Sequence, residues 1–313
     1  MAEHGRREVE HEITIQAPAE RVYRLIAEVE NWSRIFPPTV HVDVVERQGA
    51  QEVIHIWATA NGEPKDWVSR RTLDPQARRI TFRQQVSRPP VAAMGGEWII
   101  ESSSAGESRV RLLHDYRAVD GDPEKLAWID EAVDRNSRAE LAALKQNVEL
   151  AVGSAELLFS FEDTVLIDGS VKDVYDFINE AQLWSERLPH VAAVRLEEPV
   201  PTLQTLQMDT RAKDGSTHTT TSVRVCFPSH RIVYKQTQLP ALMNLHTGYW
   251  SFEERDGRVA ATSQHTVVLN PANISALLGP EADVASAREF VRNALSTNSR
   301  ATLHHAKQYA EAR

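Results

Sequence analysis

Polar and apolar positions alternate with period two along HEITIQ (11–16), which predicts a half-buried strand. The period then changes. In APAERVYRLIAEVENW (17–32), Val22, Leu25, Ile26 and Val29 fall at helical spacing, and Pro37-Pro38 ends that region. Six runs with period two follow: TVHVDVVER, EVIHIWATA, DWVSRRTLD, RITFRQQV, GEWIIESS and SRVRLLHDYRAV. Turn signals divide them, NG at 61–62, DP at 74–75 and AG at 105–106. A long helix is predicted last, from about Asp122 to Leu150, with Leu126, Ile129, Val133, Leu141, Leu144 and Val148 along one stripe. An antiparallel sheet needs one face buried, and a long amphipathic helix needs something to cover its stripe. A strongly curved sheet wrapped around the last helix satisfies both and leaves a cavity between them.

The same order recurs. RVYRLIAEVENWSRIFP from Arg21 falls on DVYDFINEAQLWSERLP from Asp173 at a shift of 152. RRITFRQ from Arg78 falls on HRIVYKQ from His230, and GGEW ending at Trp98 falls on TGYW ending at Trp250, at the same shift. NSRAELAALKQ from Asn136 matches NSRATLHHAKQ from Asn298 at a shift of 162, so the second half has gained about ten residues between Trp250 and Asn298. The pattern is a tandem duplication, with expected domains 1–152 and 153–313.

Composition narrows the class. A chain of 313 residues accommodates two domains of about 150 residues. Hydrophobic residues at 42% and charged residues at 25% are ordinary for a soluble protein. A net charge of −9 argues against nucleic acid as the main partner. The single cysteine, Cys226, excludes an intramolecular disulfide and a cysteine metal cluster, and its place in SVRVCF reads as a small core residue. The N-terminus shows no signal-like apolar run, and no window approaches the ~18 apolar residues of a membrane-spanning helix. A cytoplasmic protein without membrane association is expected. Gly-x-Gly-x-x-Gly and HExxH are missing, and the adjacent His304 and His305 diverge on a helix, so no metal and no cofactor are expected.

Candidate chemistry lies in WVSRR (67–71). Strand parity puts Trp67, Ser69 and Arg71 on one face and Val68 and Arg70 on the other. The aromatic marks the inward side, which carries Arg71 with it. A buried cation persists only if it is paired, hydrogen-bonded or lining a polar cavity. Arg71 is therefore either an anchor and oxyanion stabiliser, with protons moving through a water near Ser69, or a rim residue paired to a carboxylate. In RVRLLHDY the same parity argument sends His114 inward. The second half offers His218, Thr220, Ser222 and Arg224 on one face, with Thr220 in place of Trp67 and His265 as the counterpart of His114. A histidine near neutral pH supplies the acid or base that an arginine cannot. Trp57 and Trp67 are expected as pocket walls.

The stretches WVSRRTLDP (67–75), ITFRQ (80–84), MGGEW (94–98), LWSERLPHV (183–191), DGSTHTTTSVR (214–224), RIVYKQ (231–236) and NSRATL (298–303) give the whole chain a resemblance to the di-domain aromatase/cyclases of bacterial type II polyketide synthases. That resemblance implies an α+β fold of two tandem helix-grip (START-like, Bet v1-like) domains. It implies a cofactor-independent enzyme that receives a poly-β-ketone from an acyl-carrier protein, among the other synthase subunits. First-ring aldol closure would join carbons 7 and 12, and dehydration would make the ring aromatic. It also implies that Trp67, Ser69 and Arg71 sit in a cavity, since single-domain cyclases carry Trp-x-Ser-x-Arg there. The first half keeps that trio complete and is expected to hold the main site. The alternative is a carrier of hydrophobic ligands without catalysis.

Overall fold

The structure, a computed structural model, describes residues 5–60, 62–153, 155–211 and 215–313. Asn61 of the predicted NG turn and Asp214 of the DGSTH stretch lie outside the described residues. The chain divides into two compact units, Met1–Gly153 and Ser154–Arg313.

The first unit opens with β1 (Arg7–Ile15), α1 (Ala19–Ala27) and the short α2 (Trp32–Ile35). Six strands follow: β2 (Thr39–Gln48), β3 (Gln51–Ala60), β4 (Glu63–Asp74), β5 (Arg79–Gln84), β6 (Val91–Ser104) and β7 (Glu107–Ala118). Helix α3 (Pro123–Gly153) closes the unit. The second unit repeats this as β8 (Leu158–Ile167), α4 (Val171–Asn179), α5 (Trp184–Arg187), β9 (Val191–Val200), β10 (Leu203–Arg211), β11 (Thr217–Phe227), β12 (Arg231–Gln238), β13 (Met243–Arg255) and β14 (Arg258–Leu269). It adds a short α6 (Ile274–Leu278) before its long α7 (Val284–Glu311). The residues gained in the second half are thus the β14–α7 connection. Among the described residues, no helix is long and apolar enough to cross a membrane.

Each unit is one antiparallel sheet of seven strands, ordered β1-β7-β6-β5-β4-β3-β2 and β8-β14-β13-β12-β11-β10-β9. Sequential hairpins account for every pairing except that the first strand joins the last. The predicted stripe of α3 is the face that docks: Ile129, Val133, Leu141, Leu144 and Val148 are buried. With α1 and the sheet, the lower part of that stripe forms a core around Val22, Ile26, Trp98, Ile100 and Leu112. In the second unit the matching core gathers Val174, Ile178, Trp250, Leu303 and Ala306, with Cys226 inside it.

The long helices share Asn136/Asn298 and Ser137/Ser299, and differ at the next inward position, where α7 carries Thr302 and α3 carries Glu140. Helix α7 turns Asn298, Ser299 and Thr302 toward the sheet, short side chains that cannot fill the space beneath them. Its start is held by a capping box, Asp283 accepting from the Ser286 amide while Ser286 Oγ accepts from the Asp283 amide.

Candidate active site

Cross-strand register defines one row of side chains over each sheet. In the first unit Glu52, Arg71, Phe82, Gly96, His114 and Val9 stand opposite one another on successive strands β3, β4, β5, β6, β7 and β1. In the second the row is Gln204, Arg224, Tyr234, Gly248, His265 and Phe161. The glycine is required in both. A Cβ on Gly248 would lie 2.0 Å from the Gln264 carbonyl oxygen and 2.8 Å from the Tyr234 hydroxyl; on Gly96 it would meet Leu113 and the Phe82 ring instead. The gap lets the aromatic of one strand reach across to the histidine two strands away.

In the first row the expected inward face is observed: Ser69 and Arg71 are buried and Arg70 is exposed. The guanidinium, however, is fully engaged in local structure. Arg71 Nε donates to Glu52 at 2.7 Å, and its two terminal nitrogens donate to the carbonyls of Ile26 (3.3 Å) and Ala27 (2.6 Å) at the end of α1. Glu52 is also held by Arg47 at 2.7 Å. Burial lowers the pKa of Arg71 and Glu52 opposes that effect. Both partners are 2% exposed at the side chain, so the expected oxyanion role is corrected to a buried ion pair that ties β3 and β4 to α1. Ser69 Oγ donates to the Arg83 carbonyl at 3.1 Å. Trp67 packs on the apolar cluster of Ile54, Ile56 and Val42. His114 faces the interior, 3.4 Å from Ser137 Oγ and edge-on to Phe82, and burial pushes it down to about 4.

Trp57 also needs correction as a pocket wall. Ile56, not Trp57, stands opposite Trp67, so Trp57 belongs to the other face of the sheet. There it stacks on His55, with ring centroids 3.8 Å apart, and on His41.

The second row lines a cavity of about 140 Å³. His218, Thr220, Ser222, Arg224 and His265, all singled out from sequence, are among its walls. Thr220, Arg224 and His265 are buried, Ser222 is half-buried, and His218 is exposed at the end of the β11 row. Asp209 falls between the lining residues Met208 and Thr210, on the opposite face, where it accepts from Thr219 Oγ1 at 2.6 Å.

Arg224 differs from Arg71 in one respect that decides its chemistry. The residue opposite it is neutral Gln204, not a glutamate. Arg224 Nη2 donates to the Ile178 carbonyl at 2.7 Å, its guanidinium lies 5.4 Å from the centre of the Trp184 ring, and Nη1 is buried without a hydrogen-bond partner. Glu198, an exposed carboxylate, accepts from Gln204 Nε2 at 2.9 Å and acts on Arg224 only through space, as a smaller effect than the burial that lowers the guanidinium's pKa. The cavity wall therefore carries a desolvated cation whose charge no adjacent carboxylate cancels, in surroundings where an oxyanion is strongly attracted.

Among the lining residues that the sequence does not single out are Tyr234 and His246. Tyr234 Oη lies 2.9 Å from His265 Nδ1 and 3.3 Å from His246 Nε2, and the two histidine nitrogens are 3.0 Å apart. Ser263 Oγ stands 3.1 Å from His265 Nε2, which orients that ring. Burial pushes His265 down to about 4 and His246 well below its ordinary value. Among the described residues, no cluster of three or more His, Cys, Asp or Glu side chains is placed to hold a metal.

These depressed histidines make stability pH-dependent. Between about 6.5 and about 4 the unfolded chain binds a proton at His265 that the folded chain refuses, so stability is full above 6.5 and falls as pH drops. Each such histidine contributes up to about 1.4 kcal/mol per pH unit. Urea titrations at pH 7 and pH 5 are expected to show the loss, and His265→Gln should flatten its slope.

A family profile described as polyketide cyclase/dehydrase and lipid transport matches residues 6–149 and again 159–311. The granaticin polyketide synthase bifunctional cyclase/dehydratase of Streptomyces virginiae is 55% identical over 94% of this chain and 97% of its own length. The actinorhodin polyketide synthase bifunctional cyclase/dehydratase of Streptomyces coelicolor is 45% identical over 98% of both chains. The crystal structure of the di-domain ARO/CYC BexL, from the BE-7585A biosynthetic pathway, superimposes with a TM-score of 0.93 at 68% identity, covering 98% of this chain and 99% of that one. The di-domain ARO/CYC StfQ, from the steffimycin pathway, gives 0.89 at 35% identity over 97% and 99%. With both halves matched separately and relatives aligned end to end, this chain belongs to the polyketide cyclase/dehydrase and lipid transport family, in its tandem two-domain form.

Proposed function

We propose that this polyketide cyclase/dehydratase takes a poly-β-ketone from an acyl-carrier protein in the cytoplasm, closes the first ring between carbons 7 and 12, and dehydrates it to an aromatic ring. The reaction proceeds through enolates and alkoxides, so the protein's task is to hold the chain in one fold and to stabilise oxygen charge as it develops. No cofactor is needed for either step, because the carbons between two carbonyls are already acidic.

The observation that carries this reading is the unneutralised guanidinium of Arg224 in the wall of the second cavity. A lipid carrier gains nothing from a buried cation with a vacant donor, which costs stability. An enzyme that must polarise a carbonyl gains transition-state stabilisation from it. Thr220 and Ser222 extend the polar wall along the same strand, and His218 stands where that strand meets solvent. The second unit is accordingly the chemical site. Ser69 and Arg71 of the first unit hold its own architecture.

Product analysis of a reconstituted minimal synthase tests this. Arg224→Ala is expected to cut the correctly aromatised product by roughly 100-fold or more. Arg71→Ala is expected to act through stability, with its loss of product following its loss of folded protein. Unchanged product with Arg224→Ala would sink the assignment of chemistry to the second cavity.

A further inference from the structure

Besides Gln204 for Glu52 and Phe161 for Val9, the second row carries Tyr234 in place of Phe82, and an inward position outside the row changes with it. His246 of β13 stands where β6 carries Met94. Both changes turn an apolar side chain into a proton-bearing one, and both fall in one place. Tyr234 Oη, His246 Nε2 and His265 Nδ1 form a triangle with sides of 2.9, 3.0 and 3.3 Å. The first unit, with Phe82 and Met94, leaves His114 alone with Ser137.

We propose that Tyr234, His246 and His265 form a proton relay for the dehydration step, with His246 Nδ1 as the atom that meets the substrate. This rests on the second cavity being the chemical site. His246 Nδ1 is buried and has no hydrogen-bond partner, although the rest of the ring is held. Both nitrogens of His265 are occupied, by Tyr234 and by Ser263. The one vacant nitrogen of the cluster is therefore on His246, whose ring lines the cavity together with Tyr234 and Arg224. Tyr234 is directly opposite Arg224 in the sheet, so relay and cation share one wall.

The step balances without a co-reactant. The substrate is the cyclised β-hydroxy ketone, its carbonyl oxygen on Arg224 Nη1. Neutral His246 takes the proton from the carbon next to that carbonyl, and the C–H electron pair moves into the enolate. The enolate then re-forms its carbonyl, a carbon–carbon double bond forms, and the C–O bond breaks with its pair going to oxygen. That oxygen takes back the proton and leaves as water. Nothing is oxidised or reduced. Burial keeps both imidazoles neutral at pH 7, the form a base requires. The contact of His246 Nε2 with His265 and Tyr234 spreads the transient positive charge over the cluster.

The test replaces the relay by what the first unit already carries. In the full chain, Tyr234→Phe with His246→Met should fold, because Phe82 and Met94 occupy the same places in the duplicate. Tyr234→Phe alone, smaller by one oxygen, is the second variant. Products of the reconstituted synthase are separated into the cyclised hydroxy compound and the aromatic compound by liquid chromatography with mass detection. The double variant is expected to lower the ratio of aromatic to hydroxy product by roughly 100-fold, and Tyr234→Phe by a smaller factor in the same direction. An unchanged ratio in the double variant, with Arg224→Ala still defective, overturns the relay and leaves the cavity assignment standing. An unchanged ratio in Arg224→Ala as well overturns both.

Discussion

Gln204→Glu is expected to make the protein less active without making it less stable. The substitution copies the first unit, where Glu52 sits opposite Arg71 and accepts from its Nε at 2.7 Å. Gln204 sits opposite Arg224 in the same register, with its Oε1 buried and unpaired. A carboxylate there would pair with the guanidinium and cancel the charge that faces the cavity. The folded state gains a partner for a buried cation but loses the Gln204 hydrogen bond to Glu198, whose carboxylate the new one would repel, so the thermal midpoint should stay about level. The oxyanion loses its attraction and competes with a permanent carboxylate for the same donors, so aromatic product should fall by roughly 100-fold, the order seen when an oxyanion donor is removed. The separation of the two effects matters. A residue that served only to hold the fold would not lose activity while stability held. If Gln204→Glu made product at the wild-type rate, Arg224 would have no role in charge stabilisation.

The architecture was legible because its signals are local and doubled. Alternation marked the strands, the stripe from Leu126 to Val148 marked the gripped helix, and the matches at a shift of 152 said it all happens twice. Parity also placed Ser69 and Arg71 inward and Arg70 outward, as the burial of β4 has it. Trp57 departs from expectation because strand parity governs it: Ile54, Ile56 and Ala58 occupy the inward positions of β3, which sets Trp57 on the outer face. The Glu52–Arg71 pair was not legible, since which residue faces which across two strands depends on hairpin register, and one residue of slippage exchanges every partner. Tyr234 and His246 were within reach. Setting the two halves side by side shows Phe82 becoming Tyr and Met94 becoming His on inward-facing strands, a signal that the identities between the halves do not carry. In a duplicated fold the shared residues report the architecture, and the departures report the division of labour.

Glu52→Gln should be among the most destabilising single changes in the first unit, about 3–5 kcal/mol. Glu52 is 3% exposed and sits between two arginines, Arg71 inside and Arg47 outside. Removing its charge leaves the Arg71 guanidinium buried with neutral partners alone, the carbonyls of Ile26 and Ala27 and the Trp32 ring 5.9 Å away. Neutral carbonyls compensate a desolvated cation poorly. Removing the cation as well should recover much of the loss: Glu52→Gln with Arg71→Met leaves no buried charge, and replacing both partners of such a pair is far cheaper than removing one. Tryptophan fluorescence in urea is a suitable readout, because five of the seven tryptophans, Trp32, Trp57, Trp67, Trp98 and Trp128, belong to the first unit. A loss below about 1 kcal/mol in the single variant, or a double variant no better than the single, would mean that the pair does not carry the unit's stability. The same physics explains why Arg224 can be left uncompensated only where a function requires it. Its neighbours supply the Ile178 carbonyl and the face of Trp184, enough to keep the cation folded in place, and they leave one donor vacant for the substrate's oxygen.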